Sequence, residues 1–311
     1  MDFQLLVLGS GSAAPRLDRR SPAQLITYHD QAFLIDCGEG TQYELLRHGI
    51  KVSRISRILI SHLHADHCLG LFGLLSTFNL HDRKQALTIH GPIGLSEWLY
   101  TLAKLTQTFW KYPLEVIEHD TSQPSLIVDE PDLEIMTIPL HHKLPCAGFL
   151  IKERRSRVKL DRDKLPSFLS DQQKAALARS ESVKGPDGQW IHPVDVEAET
   201  PGLRSFAYCS DTNFKPDLCE WIEGVGTLYH EATFASDLVE RARLTLHSTG
   251  QEAATIADMA KVKELLIGHF SSRYESPERI LVEAKEIFSA TFAVYDGFYH
   301  SIAAHQSFER P

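Results

Sequence analysis

Four side chains able to bind a metal ion, His62, His64, Asp66 and His67, fall within six residues of one another. An apolar run from Ile55 to Ile60 precedes them and reads as a buried strand. A second run, Leu69 to Leu80, is long enough to be a helix. His62 and His64, two apart at the strand's end, point the same way, and Asp66 and His67 turn over the helix start. Imidazole and carboxylate together suit zinc, and a turn this dense could serve two adjacent ions. It cannot close two coordination spheres alone, so further ligands must come from elsewhere in the chain.

Three candidates each end an apolar run. His142 follows Leu133 to Leu140, Asp211 follows Phe206 to Ser210, and His269 follows Leu265 to Gly268. Open sheets gather their active sites just past strand ends. Any one of these residues alone is more often a capped turn or a satisfied histidine. Their repetition carries the reading.

The segment His62-x-His64-x-Asp66-His67, with His142, Asp211 and His269 downstream, resembles the metallo-β-lactamase superfamily. More narrowly, the chain resembles the ribonuclease Z family, endonucleases that trim the 3′ end of precursor tRNA. Gly9-Ser10-Gly11-Ser12-Ala13-Ala14-Pro15 is similar to that family's N-terminal loop, and Leu34 to Thr41 to its first aspartate motif. His142-Lys143-Leu144-Pro145, running to Gly148-Phe149, resembles the third-motif histidine with its glycine-aromatic tail. His230-Glu231-Ala232-Thr233 and His247-Ser248-Thr249 resemble two short motifs typical of the narrower family. Two departures concern loop geometry: Arg20-Ser21-Pro22 stands where an Arg-Asn pair is usual, and Ala65 replaces a common glycine.

The resemblance implies an αββα sandwich, a zinc-dependent endoribonuclease and two Zn2+ per chain. One ion would take His62, His64 and His142; the other would take Asp66, His67 and His269; Asp211 would bridge them. Asp66 would also accept a proton from the attacking water, and Asp36 would hold a ligand histidine in one tautomer. His247 would donate a proton to the leaving oxygen, oriented by Glu231. Without the resemblance, His247 reads equally as a turn residue before a helix capped by Ser248 or Thr249. Ser271 to Tyr274 either contacts phosphate or forms a surface turn. The implied substrate is precursor tRNA and the implied assembly a homodimer. Two alternatives stand beside this reading: another phosphodiesterase of the same fold, and an inactive RNA-binding relative.

A chain of 311 residues with 43% hydrophobic and 23% charged residues has the make-up of an ordinary globular protein. No apolar run approaches the ~20 residues a membrane span needs. The N-terminus, Met1 to Leu8, lacks a basic leader and reads as the first strand. Five cysteines, an odd number with no Cys-x-x-Cys pair, point to reduced thiols and a cytoplasmic setting. Cys68, Cys146 and Cys209 lie near candidate ligands and read as small buried hydrophobes.

Strand-like and helical runs alternate through both halves, which implies mixed sheets covered by helices; the resemblance implies that they form one metallo-β-lactamase-like domain spanning 1–311. Approximately residues 152–200 differ in character and read as an inserted arm. From Lys152 to Lys184 there are ten Lys or Arg against five Asp or Glu, a net of +5 in a chain of net charge −9. An acidic protein that binds RNA needs its phosphate contacts concentrated somewhere. By resemblance, this arm grips tRNA through Arg154, Arg155, Arg157 and Lys159, with Gly185-Pro186 at its tip. On composition alone, a charge run is a solvated face.

Overall fold

A computed structural model of the chain describes residues 3–155, 157–198 and 202–304. The first strand, β1 (Phe3–Gly9), shows how the sequence builds the layers. Side chains alternate across a strand: Phe3, Leu5 and Val7 enter one core and Leu6 and Leu8 another. A strand apolar on both faces must be covered twice.

A hairpin follows as β2 (Ala23–Tyr28) and β3 (Gln31–Ile35), turning through His29 at φ 50°. Beyond it, β4 (Ile55–Leu59), β5 (Leu87–Pro92) and β6 (Leu114–His119) run parallel. On this sheet's outer face lie α1 (Thr41–Arg47), α2 (Ala65–Leu80) and α3 (Leu95–Leu105), whose Leu45, Leu71, Leu74, Phe78 and Leu99 pack with Leu34 and Ile58. Helix α2 begins four residues before the apolar run that announced it, so Asp66 and His67 lie inside its first turn.

The second sheet opens with β7 (Leu126–Asp129), β8 (Leu133–Pro139) and β9 (Ala147–Glu153), paired antiparallel. The chain then leaves for the insertion, which holds α4 (Asp171–Ala178) and a small hairpin, β10 (Val183–Lys184) with β11 (Trp190–Ile191). It returns as β12 (Ser205–Cys209), antiparallel to β9, then β13 (Thr227–Glu231), β14 (Glu264–Gly268) and β15 (Thr291–Ala293) in parallel. Strand β16 (Tyr299–Ser301) crosses back to pair with β1, so each sheet has seven strands among the described residues. Helices α5 (Cys219–Ile222), α7 (Gly250–Met259) and α8 (Glu278–Lys285) cover the second sheet through Ile222, Ala253, Ile256, Ala257 and Ile280. Helix α6 (Val239–Thr245) leads into the turn carrying His247.

Between the sheets, Phe3, Phe33 and Leu59 meet Phe149, Phe206, Tyr208 and Tyr229, all essentially solvent-free. Helix, sheet, sheet, helix is the αββα sandwich that the sequence resemblance implied. Strands β6 and β7 escape a periodicity reading because both carry charged side chains and have little buried surface. No helix among the described residues is long and apolar enough to cross a membrane.

The insertion has a small core of its own: Leu169, Leu177, Val183 and Val196 are buried, flanked by Leu160 and Ile191. Gly185 to Gly188 form the exposed turn of its hairpin, closed by the Gly188 N–H donating to the Gly185 carbonyl at 3.0 Å. Its charge is more balanced than the count to Lys184 suggests. Asp187, Asp195, Glu197 and Glu199 follow, so 152–200 carries ten basic against nine acidic residues. Glu197 folds back onto Arg155 at 2.6 Å. Arg154 points to the second sheet, where Glu134 and Asp129 hold it. Arg157 and Lys159 are exposed.

Candidate metal centre

The four groups of the 62–67 segment converge with His142, Asp211 and His269 at the ends of β4, β8, β12 and β14. In one cluster, His64 Nδ1 lies 2.9 Å from His62 Nε2 and 3.1 Å from His142 Nε2. Asp211 Oδ2 stands 3.8 Å from the first of those Nε2 atoms and 3.7 Å from the second. In the other, His67 Nε2 and His269 Nε2 lie 3.3 and 3.2 Å from Asp211 Oδ1, and 3.5 and 3.8 Å from Asp66 Oδ2. Asp211 thus turns one oxygen to each cluster.

The donor set fits a cation at each position. Ligands on a tetrahedral zinc with bonds near 2.0 Å stand about 3.3 Å apart, close to these separations. His67 Nε2 and His269 Nε2 are buried with no hydrogen-bond partner, which would cost roughly 1–3 kcal/mol apiece if nothing else met them. Cysteine takes no part in these clusters among the described residues. The Cys68 thiol instead donates to the His64 carbonyl, and burial pushes its pKa up to about 11, away from the thiolate a metal needs.

Four of the five rings have a partner behind them that fixes which nitrogen faces inward. His67 Nδ1 donates to Asp36 Oδ2 at 2.8 Å, and His142 Nδ1 to the Leu246 carbonyl at 3.0 Å. His62 Nδ1 lies 3.0 Å from Ser61 Oγ, and His269 Nδ1 2.9 Å from Thr233 Oγ1. Asp36 is itself held by the Ser61 N–H, the Ser61 hydroxyl and the Tyr208 hydroxyl, at 2.8 to 2.9 Å. Sequence reading named Asp36 but missed Ser61, Tyr208, Thr233 and Leu246 as partners. A backbone carbonyl leaves no residue signature, and Thr233 carried a signal only as the fourth residue of the His230 motif.

The electrostatics follow from burial and these neighbours. Burial drives His62 well below the ordinary imidazole range, with the positive potential of His67 adding to it. Burial opposes charge on His67 too, yet Asp211 and Asp36 overcome it and hold that ring well above its usual range. Asp66 stays ionised because His269 and His67 outweigh its burial.

Behind the clusters, Glu231 organises a third set of contacts. One of its oxygens accepts from His247 Nδ1 at 2.9 Å and from the Thr212 N–H at 2.7 Å; the other accepts from the Thr233 hydroxyl. The buried carboxylate therefore touches His247, the residue after Asp211, and the group behind His269. Burial alone would lower the pKa of His247, but Glu231 raises it to about 9. Of the two expected caps of α7, Thr249 forms the capping box with Glu252, while Ser248 donates to the Thr212 carbonyl at 2.7 Å.

Backbone conformation aims these groups. Asp36, Asp211 and His269 all have positive φ, at 56°, 26° and 58°. Gly38 is required by proximity, since a Cβ there would stand 2.3 Å from the Asp66 carbonyl oxygen.

Residues 3–155 match the family profile described as Anti-Pycsar protein Apyc1. The structure is similar to that of the short form of human tRNase Z, at 24% identity and TM-score 0.71 over 96% of this chain and 99% of that one. It is similar also to the metallo-beta-lactamase fold protein YhfI of Bacillus subtilis, at 18% identity and TM-score 0.69 over 96% and 99% of the two chains. Over 305 residues the sequence is 43% identical to ribonuclease Z of Cytophaga hutchinsonii, covering 97% of each chain. The fold is that of the metallo-β-lactamases, and the chain belongs to the ribonuclease Z family.

Proposed function

We propose that the protein is an endoribonuclease that removes the 3′ trailer from precursor tRNA. The observation that carries this is the split of Asp211 between two clusters of inward-facing donors, beside a histidine that is no part of either full set. Two zinc ions, one with His62, His64 and His142 and one with Asp66, His67 and His269, would supply a hydroxide at neutral pH and offset charge on the phosphate. Asp211 joins the two positions. Asp66 orients the attacking water and accepts its proton. Asp36 keeps the His67 Nδ1–H fixed, so that its Nε2 stays a donor to the metal.

Expelling a 3′ oxygen requires a proton, because an alkoxide is a poor leaving group. His247 has Nδ1 committed to Glu231, which leaves Nε2 to give that proton. Glu231 keeps the ring charged and oriented. The insertion serves as the arm that grips tRNA away from the metals, with Arg157, Lys159 and the Gly185-Pro186 turn as its outward face. Arg154 and Arg155 serve as its ion-paired root. The family suggests a cytoplasmic homodimer, which sedimentation would report.

Incubation with a trailer-bearing precursor tRNA and mapping of the product ends tests this reading. Cleavage next to the end of the acceptor stem, lost with chelation and restored by zinc, is expected. Turnover of small phosphodiesters with precursor tRNA left intact would favour the other-phosphodiesterase reading. Elemental analysis showing bound metal with neither activity would leave an inactive RNA-binding relative.

A further inference from the structure

Two buried hydroxyls behind the metal centre each stand between a histidine and a carboxylate. Ser61 Oγ lies 3.0 Å from His62 Nδ1 and 2.9 Å from Asp36 Oδ2. Thr233 Oγ1 lies 2.9 Å from His269 Nδ1 and touches Glu231 Oε2. All six side chains are buried. A hydroxyl has one proton to donate and two lone pairs to accept with, whereas an ionised carboxylate only accepts. Each hydroxyl proton therefore goes to the carboxylate, and a lone pair on the same oxygen accepts the Nδ1–H of the ring. The His269 carbonyl, 3.0 Å from Thr233 Oγ1, is the weaker competitor because it carries no charge. Both rings are left with Nε2 as the nitrogen that can hold an ion.

Each carboxylate thereby supports two histidines. Asp36 accepts directly from His67 Nδ1 at 2.8 Å and reaches His62 through Ser61. Glu231 accepts directly from His247 Nδ1 at 2.9 Å and reaches His269 through Thr233. His62 belongs to one metal cluster, and His67 and His269 to the other. Asp36 therefore stands behind both positions, and Glu231 stands behind the second as well as behind His247.

We propose that Ser61 and Thr233 are positioning residues, each carrying the hold of a buried carboxylate to a metal-facing histidine that the carboxylate does not itself touch. The inference rests on the two-metal reading of the site. Its consequence is that Asp36 sets the affinity of both ions, directly at one and through a serine hydroxyl at the other. Buried chains of this kind strengthen one another's hydrogen bonds, so a missing link is felt at the far ring. The geometry also makes the serine link separable from Asp36 itself. The Ser61 backbone N–H donates to Asp36 Oδ1 at 2.8 Å and the Tyr208 hydroxyl to Oδ2 at 2.9 Å. Asp36 therefore stays held against His67 when Ser61 loses only its hydroxyl.

Zinc binding to the full chain, measured against a competing chelator, tests this. The parent should bind two ions. S61A should weaken one of them by about ten- to a hundredfold, the usual size of losing an outer hydrogen bond to a ligand ring, and leave the other within about threefold. T233V should weaken the other ion, and T233S, which keeps the hydroxyl, should bind both as the parent does. D36N should weaken both ions, and adding S61A to D36N should cost little more, because the far end of that link is already lost. Imidazole nitrogen-15 spectra identify the ring: S61A should lose the slowly exchanging His62 Nδ1–H while His67 keeps its own. Unchanged zinc affinities in S61A or in T233V overturn the proposal. So does equal weakening of both ions by S61A, which would mean that Ser61 only holds Asp36 in place, and so does D36N weakening one ion alone. A parent that binds fewer than two zinc ions sinks the two-metal reading instead. The links are then judged by the spectra: loss of the His62 signal in S61A supports them, and its persistence overturns them.

Discussion

The metal face and the insertion are built on opposite plans. At the metal face, His62, His67, His142 and His269 each have a partner at about 3 Å behind the ring, and most of the groups involved are buried. The insertion rests on four buried apolar side chains, two two-residue strands and one short helix. Chemistry on a phosphodiester needs donors fixed to within a fraction of an ångström, which demands support from several elements at once. Recognition of RNA shape tolerates a looser frame, because backbone contacts carry no narrow angular requirement.

The largest expected effect falls on the rigid face. Asp66→Ala should lower precursor tRNA cleavage at least about a thousandfold, roughly 4 kcal/mol of barrier, while thermal unfolding stays cooperative. Activity within about tenfold of the parent would mean that Asp66 neither ligates nor accepts a proton. His247→Ala should cost about a hundredfold on tRNA but little on a p-nitrophenyl diester, whose leaving group departs without a proton. Equal losses on both substrates would make His247 a structural member of the Glu231 network.

Leu177→Ala should act only on the other plan. Removing this buried side chain should ease opening of the insertion by roughly 2–5 kcal/mol. Hydrogen exchange at the paired Val183 and Ile191 would report it. Cleavage of the small diester should stay at the parent rate; its loss would show that the two regions form one cooperative unit. The smallest effects divide the basic run itself. Replacing Arg157 and Lys159 by alanine should flatten the log–log salt dependence of tRNA binding by a little under about one unit per contact. Arg154→Ala should leave that slope nearly unchanged, since Glu134 and Asp129 already engage its charge.

The two regions also differed in how far the residues disclosed them. The candidate metal donors that the structure brings together could be picked out because they sit where apolar runs end, a pattern visible in one dimension at Ile60, Leu140, Ser210 and Gly268. The partners behind them were not, because Tyr208 reaches Asp36 across 172 residues and the Leu246 carbonyl reaches His142 across 104. In the insertion, a count ending at Lys184 overlooked the acids that the fold brings back beside the arginines. Glu197 is 42 residues from Arg155 and in contact with it.

The positive φ of Asp36, Asp211 and His269 has a cost for the whole molecule. A residue other than glycine held in that region gives up on the order of 1 kcal/mol or more of stability, and each of these three lies one or two residues past a strand of the central sheets. Selection for thermostability alone would therefore favour relaxing these three positions first. The enzyme is less stable than its cores would allow, and variants screened only for a higher melting temperature should be expected to trade away catalysis there.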